Sequence, residues 1–551
     1  MQANPEQGAA LLRRCAIAAE GAQAFLAAAK TAVGRLLDGT PPGGTAPLVA
    51  QQHAVHGLAW HGTCVTALHE TLAWARRLRE HGIFGELEQL MLAAAFGEYL
   101  AQLHDGIAMS QSETVRPHDL GLEDAELAPL RGDDAAWLRR HGNSAAARQR
   151  IAALGLAQGG WGNAGLADQT LSLVRSQFHR FADERIAPHA QAWHLQDALI
   201  PLPLVQELAE MGVFGLTIAE RHDGMGMDKL AMCVVTEELS RACLAVGSLG
   251  TRSEIAGELI GHHGTEAQKA KWLPRIASGE TLPAAVFTEP SAGSDLAAAR
   301  TRAVPDGDVY RLTGGKTWIT HAARADLMTV LARTESSVHG AAGLSIFLAE
   351  KPRGTADDDF PVPGLSGSEI PVLGYRGMKE YELAFDGFSV ARDGLLGGVA
   401  GQGFQQLMST FESARIQTAA RAVGVAQNAL ELAAAYAQQR QQFGQPIAQF
   451  PRIAGKLAWM AVETMVARQL TWAAARQKDR GARCDVPAGM AKLLAARVAW
   501  ANADSALQVH GGNGYAQEYA ISRVLCDARI LSIFEGAAEI QAGVIAKGML
   551  R

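Results

Sequence analysis

Cysteine and aromatic residues are scarce in this sequence of 551 residues. The six cysteines are scattered, without a CxxC pair or close Cys/His spacing, which argues against a disulfide framework and against a zinc site. Such cysteine usage fits a reducing cytoplasm, which is the location we expect. Aromatic residues make up 6% of the chain and hydrophobic residues 48%, and this composition favours helices packed closely on small side chains.

Long apolar runs and blocks of basic residues are also absent. No run of about eighteen apolar residues occurs, so we predict no membrane span. The first residues, MQANPEQGAALLRR, place their polar part first, unlike a secretory signal. The net charge of −6 and the lack of a long Lys/Arg block argue against a nucleic-acid surface, because phosphate binding needs clustered cations.

The length of the chain favours several domains, because a single hydrophobic core stops growing at about 250–300 residues. Residues 1–110 carry apolar side chains at helical spacing and predict a bundle of helices. Residues 117–163 mix charges, glycine and proline, and GGWGN at 159–163 predicts a flexible joint. We therefore predict the first domain boundary after residue 163.

Helical periodicity returns from residue 167 to about 280, where Asp168 predicts an N-cap and Pro188 predicts the end of a helix. Between residues 282 and 396, short β-branched or aromatic runs alternate with Gly, Asp and Pro. This pattern is typical of antiparallel strands and predicts a β-domain.

The last part of the chain predicts three long helices, at 405–440, 448–479 and 487–509, which suit a four-helix bundle. The predicted fold class is therefore mainly α with a central β-domain. The predicted division is an N-terminal helical extension with its linker (1–163), a helical domain (164–281), a β-domain (282–397) and a C-terminal four-helix bundle (398–551).

Five motifs follow one another in a fixed order: FTEPSAGSD at 287–295, KTWIT at 316–320, RQQFG at 440–444, QVHGGNGY at 508–515 and LSIFEGAAEIQ at 531–541. In order and spacing they resemble the acyl-CoA dehydrogenase family, from about residue 166 to the C-terminus. The resemblance implies that family's fold: a helical domain, an antiparallel β-domain and a C-terminal four-helix bundle. It also implies FAD as the cofactor and an acyl-CoA thioester as the substrate.

Dehydrogenation of an acyl thioester needs a base for the α-proton and a two-electron acceptor for the β-hydride. The resemblance assigns the base to Glu535, whose small and apolar neighbours predict a raised pKa; a solvated surface glutamate is the alternative. The family's second position for the base falls here on Ala414, which cannot take a proton. The resemblance places Glu412 near the CoA moiety and Arg415 near the substrate, with a surface ion pair as the alternative for Arg415.

The first two motifs are expected to hold the flavin. The resemblance assigns cofactor contacts to Phe287, Thr288, Gly293 and Ser294, and a substrate contact to Ser294 as well. In KTWIT, Trp318 would cover one face of the isoalloxazine ring and Thr320 would hydrogen-bond to it; a tryptophan in the core of the β-domain is the alternative. His321 would either bind the flavin edge or end the strand.

The next two motifs resemble the family's contacts to the pyrophosphate and adenine of FAD in a neighbouring subunit, through Arg440, Phe443, Gln508 and Gly512. Cofactor sharing of this kind implies a homodimer or homotetramer. A strand-associated GxGxxG is missing, so a Rossmann nicotinamide domain is not indicated. The extension is interpreted either as a docking module for a partner or as a cap that stabilises a dimer.

Within the family, the text at 316–334, 410–424 and 521–530, together with the extension, resembles the branch that converts (2S)-methylsuccinyl-CoA to mesaconyl-CoA. That substrate has a free carboxylate, whose burial needs a cation or several donors. Arg252 interrupts an otherwise apolar helix, and we predict that it binds this carboxylate. A surface ion pair between Arg252 and Glu254 or Glu258 is the alternative.

The resemblance also implies electron-transfer flavoprotein as the electron acceptor. The nearest rival substrates are other short or branched thioesters, such as isovaleryl-CoA and 2-methylbutyryl-CoA, and an oxidase that uses oxygen is a further variant. A non-enzymatic flavoprotein of the same fold is the rival from another class. The acidic net charge and the presence of Glu535 argue against it.

Overall fold

The computed structural model describes residues 5–38, 46–335, 337–338 and 340–551. The chain forms two compact units. The first unit comprises Met1–Ser172 and Val425–Arg551, and the second comprises Leu173–Gly424. Among the described residues, no helix has the length and apolar character that would let it cross a bilayer.

Helices make up most of the described chain. Their bounds are α1 (Pro5–Asp38), α2 (Ala46–Ala50), α3 (Gln52–Glu80), α4 (Glu86–Asp105), α5 (Asp133–His141), α6 (Ala145–Gln158), α7 (Gln169–Phe181), α8 (Ala187–Gln196), α9 (Leu202–Glu210), α10 (Lys229–Ala242), α11 (Leu244–His263), α12 (Glu266–Ala277), α13 (Gly403–Gln439), α14 (Pro451–Asp479), α15 (Asp485–His510), α16 (Ala520–Ile530) and α17 (Ala538–Leu550). The three long C-terminal helices predicted from the sequence are confirmed as α13, α14 and α15, with ends within three residues of the prediction.

The strands are β1 (Ile107–Ala108), β2 (Thr114–Val115), β3 (Pro283–Val286), β4 (Arg302–Asp306), β5 (Val309–Thr320), β6 (Leu327–Arg333), β7 (Leu344–Glu350), β8 (Leu365–Ile370), β9 (Glu380–Ala391), β10 (Gln441–Gln442) and β11 (Gln445–Pro446). The main sheet has the order β3-β6-β4-β5-β9-β8, and β7 also pairs with β6. Most pairs are antiparallel as predicted, but β3 runs parallel to β6 in the register Pro283↔Leu327. The fold is therefore mainly α with a central β-sheet.

In the first unit, the N-terminal helices share a core with the C-terminal helices. Helix α3 packs on α1 and α4 and also on α14, α15 and α17. Trp74 on α3 and Trp472 on α14 are almost completely buried. The guanidinium of Arg77 donates to the side chain of Gln469 at 2.8 Å, which in turn donates to the carbonyl of Ala164 at 2.8 Å. The N-terminal extension is thus an integral part of this unit.

The segment 159–163, predicted to be a flexible joint, contacts the helices of the first unit through Trp161 and Asn163. The indole N–H of Trp74 donates to the carbonyl of Asn163 at 2.9 Å, and the N–H of Asn163 donates to Glu88 at 2.9 Å. A Cβ on Gly155 would lie 2.4 Å from the ring of Trp161, so this ring packs directly on helix α6. The sequence did not predict these contacts, because the partners are distant in sequence.

Helix α7 begins as predicted, but the helical segment does not end at Pro188. The carboxylate of Asp168 accepts the N–H of Thr170 at 2.7 Å, which confirms the N-cap. A π-helical turn at Ala182–Ile186 then joins α7 to α8. Pro188 takes the second position of α8, where a missing N–H costs little, so the chain remains helical.

Candidate active site

A buried ion pair fastens the FTEPSAGSD turn to strand β5. The ammonium of Lys316 donates to Glu289 at 2.8 Å and to the carbonyl of Phe287 at 2.9 Å. Glu289 also accepts the N–H groups of Arg300 at 2.7 Å and Thr301 at 2.9 Å. Because the Lys316 side chain is 0% exposed and that of Glu289 is 4% exposed, both charges depend on these partners.

The two pKa values reflect this burial. Burial lowers the pKa of Lys316 to about 8, although the Glu289 charge opposes the shift. Burial would raise the pKa of Glu289, but the Lys316 charge and the hydrogen bonds hold it below its usual value. Neither residue was predicted from the sequence to have a role, although the opposite charges of Glu289 in TEP and Lys316 at the start of KTWIT were a usable signal.

The FTEPSAGSD turn presents its later residues to the surface. Gly293 and Ser294 are exposed and Thr288 is half-buried. The ring of Phe287 lies in the core, edge-on to Phe411 with ring centres 6.4 Å apart. The carbonyl of Thr288 accepts the N–H of Thr317 at 3.0 Å, which ties the turn to the KTWIT strand.

Trp318 lies outside the core, on a distortion of β5. The pairing of β5 with β9 loses its register between Lys316 and Ile319. Trp318 takes a left-handed φ of 59° in this gap, and it is 57% exposed. The alternative of a core tryptophan is therefore wrong. A left-handed backbone costs a non-glycine residue about 1–3 kcal/mol and is often found where function requires it.

Strand β5 ends in a buried polar group. The hydroxyl of Thr320 donates to the two carboxyl oxygens of Glu380 at 2.8 and 3.0 Å, so the Thr320 oxygen remains able to accept a hydrogen bond. His321 follows the last strand residue with a left-handed φ of 66° and is 2% exposed. Burial, followed by the charge of Arg324, lowers the pKa of His321 to about 3, so its imidazole is neutral.

Arg252 on α11 is a buried residue, as are Glu254 and Glu258 on the same helix. Glu254 and Glu258 both bind the ammonium of Lys229, and the Glu258 contact is 2.8 Å. Arg252 is 9% exposed. Its positive charge acts on Glu380, His321 and Tyr375, which lie around the end of β5. The alternative of an ion pair at the surface was wrong, because Arg252 and both glutamates are buried.

The residues predicted on α13 differ in burial. Ala414 is 2% exposed and lies in the hydrophobic core. Glu412 and Arg415 are half-buried, and the guanidinium of Arg415 lies 6.0 Å from the ring centre of Phe411.

In the first unit, Glu535 lies in a strained turn between α16 and α17. Glu535 has a left-handed φ of 52° and Gly536 a φ of 91°. The side-chain amide of Gln541 donates to the carbonyls of both residues at 3.2 Å. The ammonium of Lys492 donates to the carbonyl of Gly536 at 2.6 Å. Because Lys492 and Gln541 are both 0% exposed, they form a rigid clamp that fixes the backbone from which the Glu535 side chain projects.

Neither Lys492 nor Gln541 was predicted from the sequence. Lys492 lies more than forty residues before the turn, and a lysine within an otherwise apolar helical stretch was the available signal. A Cβ on Gly536 would lie 2.1 Å from the amide nitrogen of Gln541, so only glycine fits beside the clamp. We call Lys492 and Gln541 the turn clamp.

The two remaining motifs form an exposed group in the first unit. Phe443 is 92% exposed and has a left-handed φ of 51° at the tip of the β10–β11 hairpin. Arg440 precedes the hairpin and is exposed, as is Gln508 in the last turn of α15. A Cβ on Gly512 would meet no atom within 4 Å. The sites predicted from sequence thus fall in both units, and among the described residues three of the eight left-handed non-glycine residues are predicted site residues: Trp318, Phe443 and Glu535.

Three family models match the chain in succession. The acyl-CoA dehydrogenase N-terminal domain matches residues 168–280, the middle domain residues 284–388 and the C-terminal domain residues 401–550. Together these ranges cover more than half of the chain.

Individual proteins agree with these models. The (2S)-methylsuccinyl-CoA dehydrogenase of Cereibacter sphaeroides is 62% identical over 506 residues, which cover 91% of each chain. The solved structure of butyryl-CoA dehydrogenase from Megasphaera elsdenii is 32% identical with a TM-score of 0.66, covering 70% of this chain and 99% of that one. A complex of glutaryl-coenzyme A dehydrogenase with glutaryl-CoA is 33% identical with a TM-score of 0.66, covering 70% and 96%. The chain therefore belongs to the acyl-CoA dehydrogenase family and is an FAD-dependent oxidoreductase that acts on acyl-CoA thioesters.

Proposed function

We propose that this enzyme oxidises (2S)-methylsuccinyl-CoA to mesaconyl-CoA and passes the electrons to electron-transfer flavoprotein. The choice of substrate rests on Arg252, a buried residue whose positive charge acts on the residues at the end of β5. A free carboxylate on the acyl group requires such a cation, because a buried and unpaired charge costs several kcal/mol. The relatives named for methylsuccinyl-CoA and glutaryl-CoA, two thioesters with a second carboxylate, support this choice.

Glu535 is the proposed base that takes the α-proton. Its backbone is held by the turn clamp, so its carboxylate leaves the turn in a fixed direction, which favours proton transfer in a defined geometry. The N–H of Glu535 is the proposed donor to the thioester carbonyl, where negative charge develops as the α-proton leaves. When bound, FAD supplies the two-electron acceptor that takes the β-hydride at N5.

The residues of the predicted flavin site fit FAD. A Cβ on Gly293 would meet only the Thr288 methyl group, at 3.9 Å, and one on Gly512 would meet nothing within 4 Å. Packing inside the chain therefore does not demand glycine at either position, and the backbone is open to a ligand there. Trp318 offers an exposed aromatic face and Thr320 an oxygen that can accept a hydrogen bond.

We also propose a homodimer or homotetramer in which Arg440, Phe443, Gln508 and Gly512 contact FAD of a neighbouring subunit. Support comes from Phe443, a large apolar side chain that is 92% exposed on a hairpin tip and that gains from being covered. The reducing cytoplasm is retained as the proposed location, because no disulfide joins any of the six cysteines.

Anaerobic titration of the purified flavoprotein tests the proposed function. Methylsuccinyl-CoA should bleach the flavin absorbance rapidly, whereas butyryl-CoA and isovaleryl-CoA should bleach it slowly or weakly. Rapid bleaching by one of the carboxylate-free thioesters alone would replace the proposed substrate while keeping the reaction.

Two variants assign the roles. Glu535→Gln should keep its flavin but lose reduction by every thioester, and reduction near the wild-type rate would remove Glu535 as the base. Arg252→Met should lose activity on methylsuccinyl-CoA far more than on butyryl-CoA. Equal losses on both substrates would remove Arg252 from the recognition of the carboxylate.

A further inference from the structure

Five buried polar side chains surround the end of β5 in the second unit. They come from four different parts of the chain: Arg252 on α11, His321 after β5, Tyr375 in the loop before β9 with Glu380 as the first residue of β9, and Arg421 on α13. None is more than 9% exposed. We call this group the Arg252 cluster. It contains a carboxyl group, Glu380, to which neither the sequence nor the proposed mechanism gave a role.

Hydrogen bonds fix the position of Glu380 and its surroundings. Strand pairing aligns Thr320 with Glu380, and the Thr320 hydroxyl donates to both carboxyl oxygens. On the other side of the cluster, the guanidinium of Arg421 donates to the Ser248 hydroxyl at 3.0 Å, and this hydroxyl is also a partner of Tyr375. The carboxyl group of Glu380 therefore has little freedom to move away from the charge of Arg252.

The charge state of Glu380 is finely balanced. Burial raises its pKa to about 7, while the hydrogen bond from Thr320 and the positive charge of Arg252 oppose the increase. The neighbouring groups do not titrate in the same range: burial lowers the pKa of His321 to about 3 and raises that of Tyr375 above its usual value. Lys379, the residue before Glu380, is engaged by Glu369.

A carboxylate ligand that binds beside Arg252 enters the electrostatic field of Glu380. If Glu380 is ionised, it competes for the guanidinium and repels the ligand. If Glu380 carries a proton, it does neither and can donate a hydrogen bond. An acyl group without a carboxylate is indifferent to this difference, so the protonation of Glu380 can discriminate between the two kinds of substrate.

We propose that Glu380 is a specificity-determining residue of this enzyme. When the Glu380 carboxyl group is protonated, the site beside Arg252 accepts the free carboxylate of a dicarboxylyl thioester. When Glu380 is ionised, the site rejects that carboxylate. The inference rests on the proposed function, because it assumes that the substrate carries a second carboxylate. Binding at a pH where free Glu380 is ionised then draws one proton from solvent onto its carboxyl group. The chemical step on the α and β carbons is unchanged.

The pH dependence of substrate preference tests this proposal in the holoenzyme. The kcat/KM for methylsuccinyl-CoA is divided by that for butyryl-CoA between about pH 6 and 9, and the ratio should fall by about tenfold per pH unit above the pKa of Glu380. In Glu380→Gln, which is neutral at every pH, the ratio should be independent of pH. Glu382→Gln is the matched control, since Glu382 is an exposed carboxylate on the same strand, and it should keep the wild-type decrease. A flat wild-type ratio, or an equal decrease in Glu380→Gln, would overturn the role of Glu380.

A second measurement needs no variant. Oxidised holoenzyme is titrated calorimetrically with the unreactive product mesaconyl-CoA, in two buffers of different ionisation enthalpy, at about one pH unit above the pKa of Glu380. Uptake of close to one proton is expected, against none for crotonyl-CoA, which lacks the carboxylate. Equal uptake with both ligands would contradict the proposal.

The two hypotheses fail in different ways. If methylsuccinyl-CoA does not reduce the flavin at any pH, the proposed substrate is wrong. If it reduces the flavin with a pH-independent preference, the substrate stands and only the role of Glu380 is lost.

Discussion

Replacing Lys492 by methionine should slow flavin reduction while leaving acyl-CoA binding intact. The variant keeps the length and apolar character of the side chain but removes the hydrogen bond to the carbonyl of Gly536, which is 2.6 Å long in the structure. A hydrogen bond from a charged donor contributes about 1.5–3 kcal/mol. The left-handed backbone of Glu535 costs about 1–3 kcal/mol. The contribution of the hydrogen bond and the cost of the backbone strain are of similar size. Without the hydrogen bond, the strained conformation of Glu535 is therefore no longer clearly favoured in Lys492→Met.

The expected consequence is a rate effect. We expect the free energy of the correctly placed Glu535 conformation to rise by about 1.4–2.7 kcal/mol relative to the alternatives, which lowers the fraction of molecules in that conformation by roughly a factor of 10 to 100. The rate of flavin reduction then falls by the same factor. Anaerobic stopped-flow absorbance measures this rate and, from its dependence on substrate concentration, the dissociation constant, which should stay unchanged. Lys547→Met on α17 is the control, because Lys547 is exposed and should give the wild-type rate. A wild-type rate in Lys492→Met, with full flavin content, would refute the clamp.

Three further predictions concern other parts of the chain. Gly536→Ala should abolish flavin reduction, because its Cβ would lie 2.1 Å from the amide of Gln541 at a φ of 91°; normal single-turnover reduction would contradict this. Burial would raise the pKa of Glu238, but His179, Arg175 and Arg241 lower it to about 2. The ionised Glu238 therefore stabilises the folded state fully above the unfolded pKa of about 4.3, and this stabilisation is lost as the pH falls through 2. Glu238→Gln should therefore destabilise the second unit by about 3 kcal/mol in urea unfolding at neutral pH, with the difference from wild type narrowing below about pH 4, and a pH-independent difference would exclude this origin. Phe443→Ser should weaken subunit association in sedimentation experiments, and an unchanged mass at all concentrations would remove Phe443 from the interface.

The sequence predicted local structure better than long-range pairing. Periodicity located α13, α14 and α15 because a helix repeats its own pattern within a few residues. The parallel pairing of β3 with β6 was not predicted, since the partners are more than forty residues apart. The residue pattern of a strand also does not show whether it pairs in the parallel or the antiparallel direction. The π-helical turn before Pro188 was not predicted for another reason. Pro188 is tolerated only because it takes the second position of α8, and this position is not visible in the sequence. The predicted division at residues 163, 281 and 397 stays a prediction.

The same limit applies to the site. The motifs drew attention to Glu535 and Trp318, and an otherwise apolar helix drew attention to Arg252. The groups that hold them were missed, because Lys492 reaches the Glu535 turn and Glu380 reaches Thr320 only through the folded chain. A lone polar residue within an apolar segment is an incomplete signal until its partner is known.

The shared core of the first unit has a consequence for the order in which the protein folds. Helix α3 packs against α14, α15 and α17, so the N-terminal helices cannot complete their core until the last residues have been synthesised. Roughly 380 residues separate the end of the N-terminal part from the C-terminus, which at about 5–20 residues per second takes about 20 to 75 s. The second unit, encoded in between, is contiguous and can fold on the ribosome during this time. The apolar faces of α3 and α4 that pack on the C-terminal helices stay exposed until those helices have been synthesised. We therefore expect the nascent chain to bind chaperones that recognise exposed hydrophobic helices.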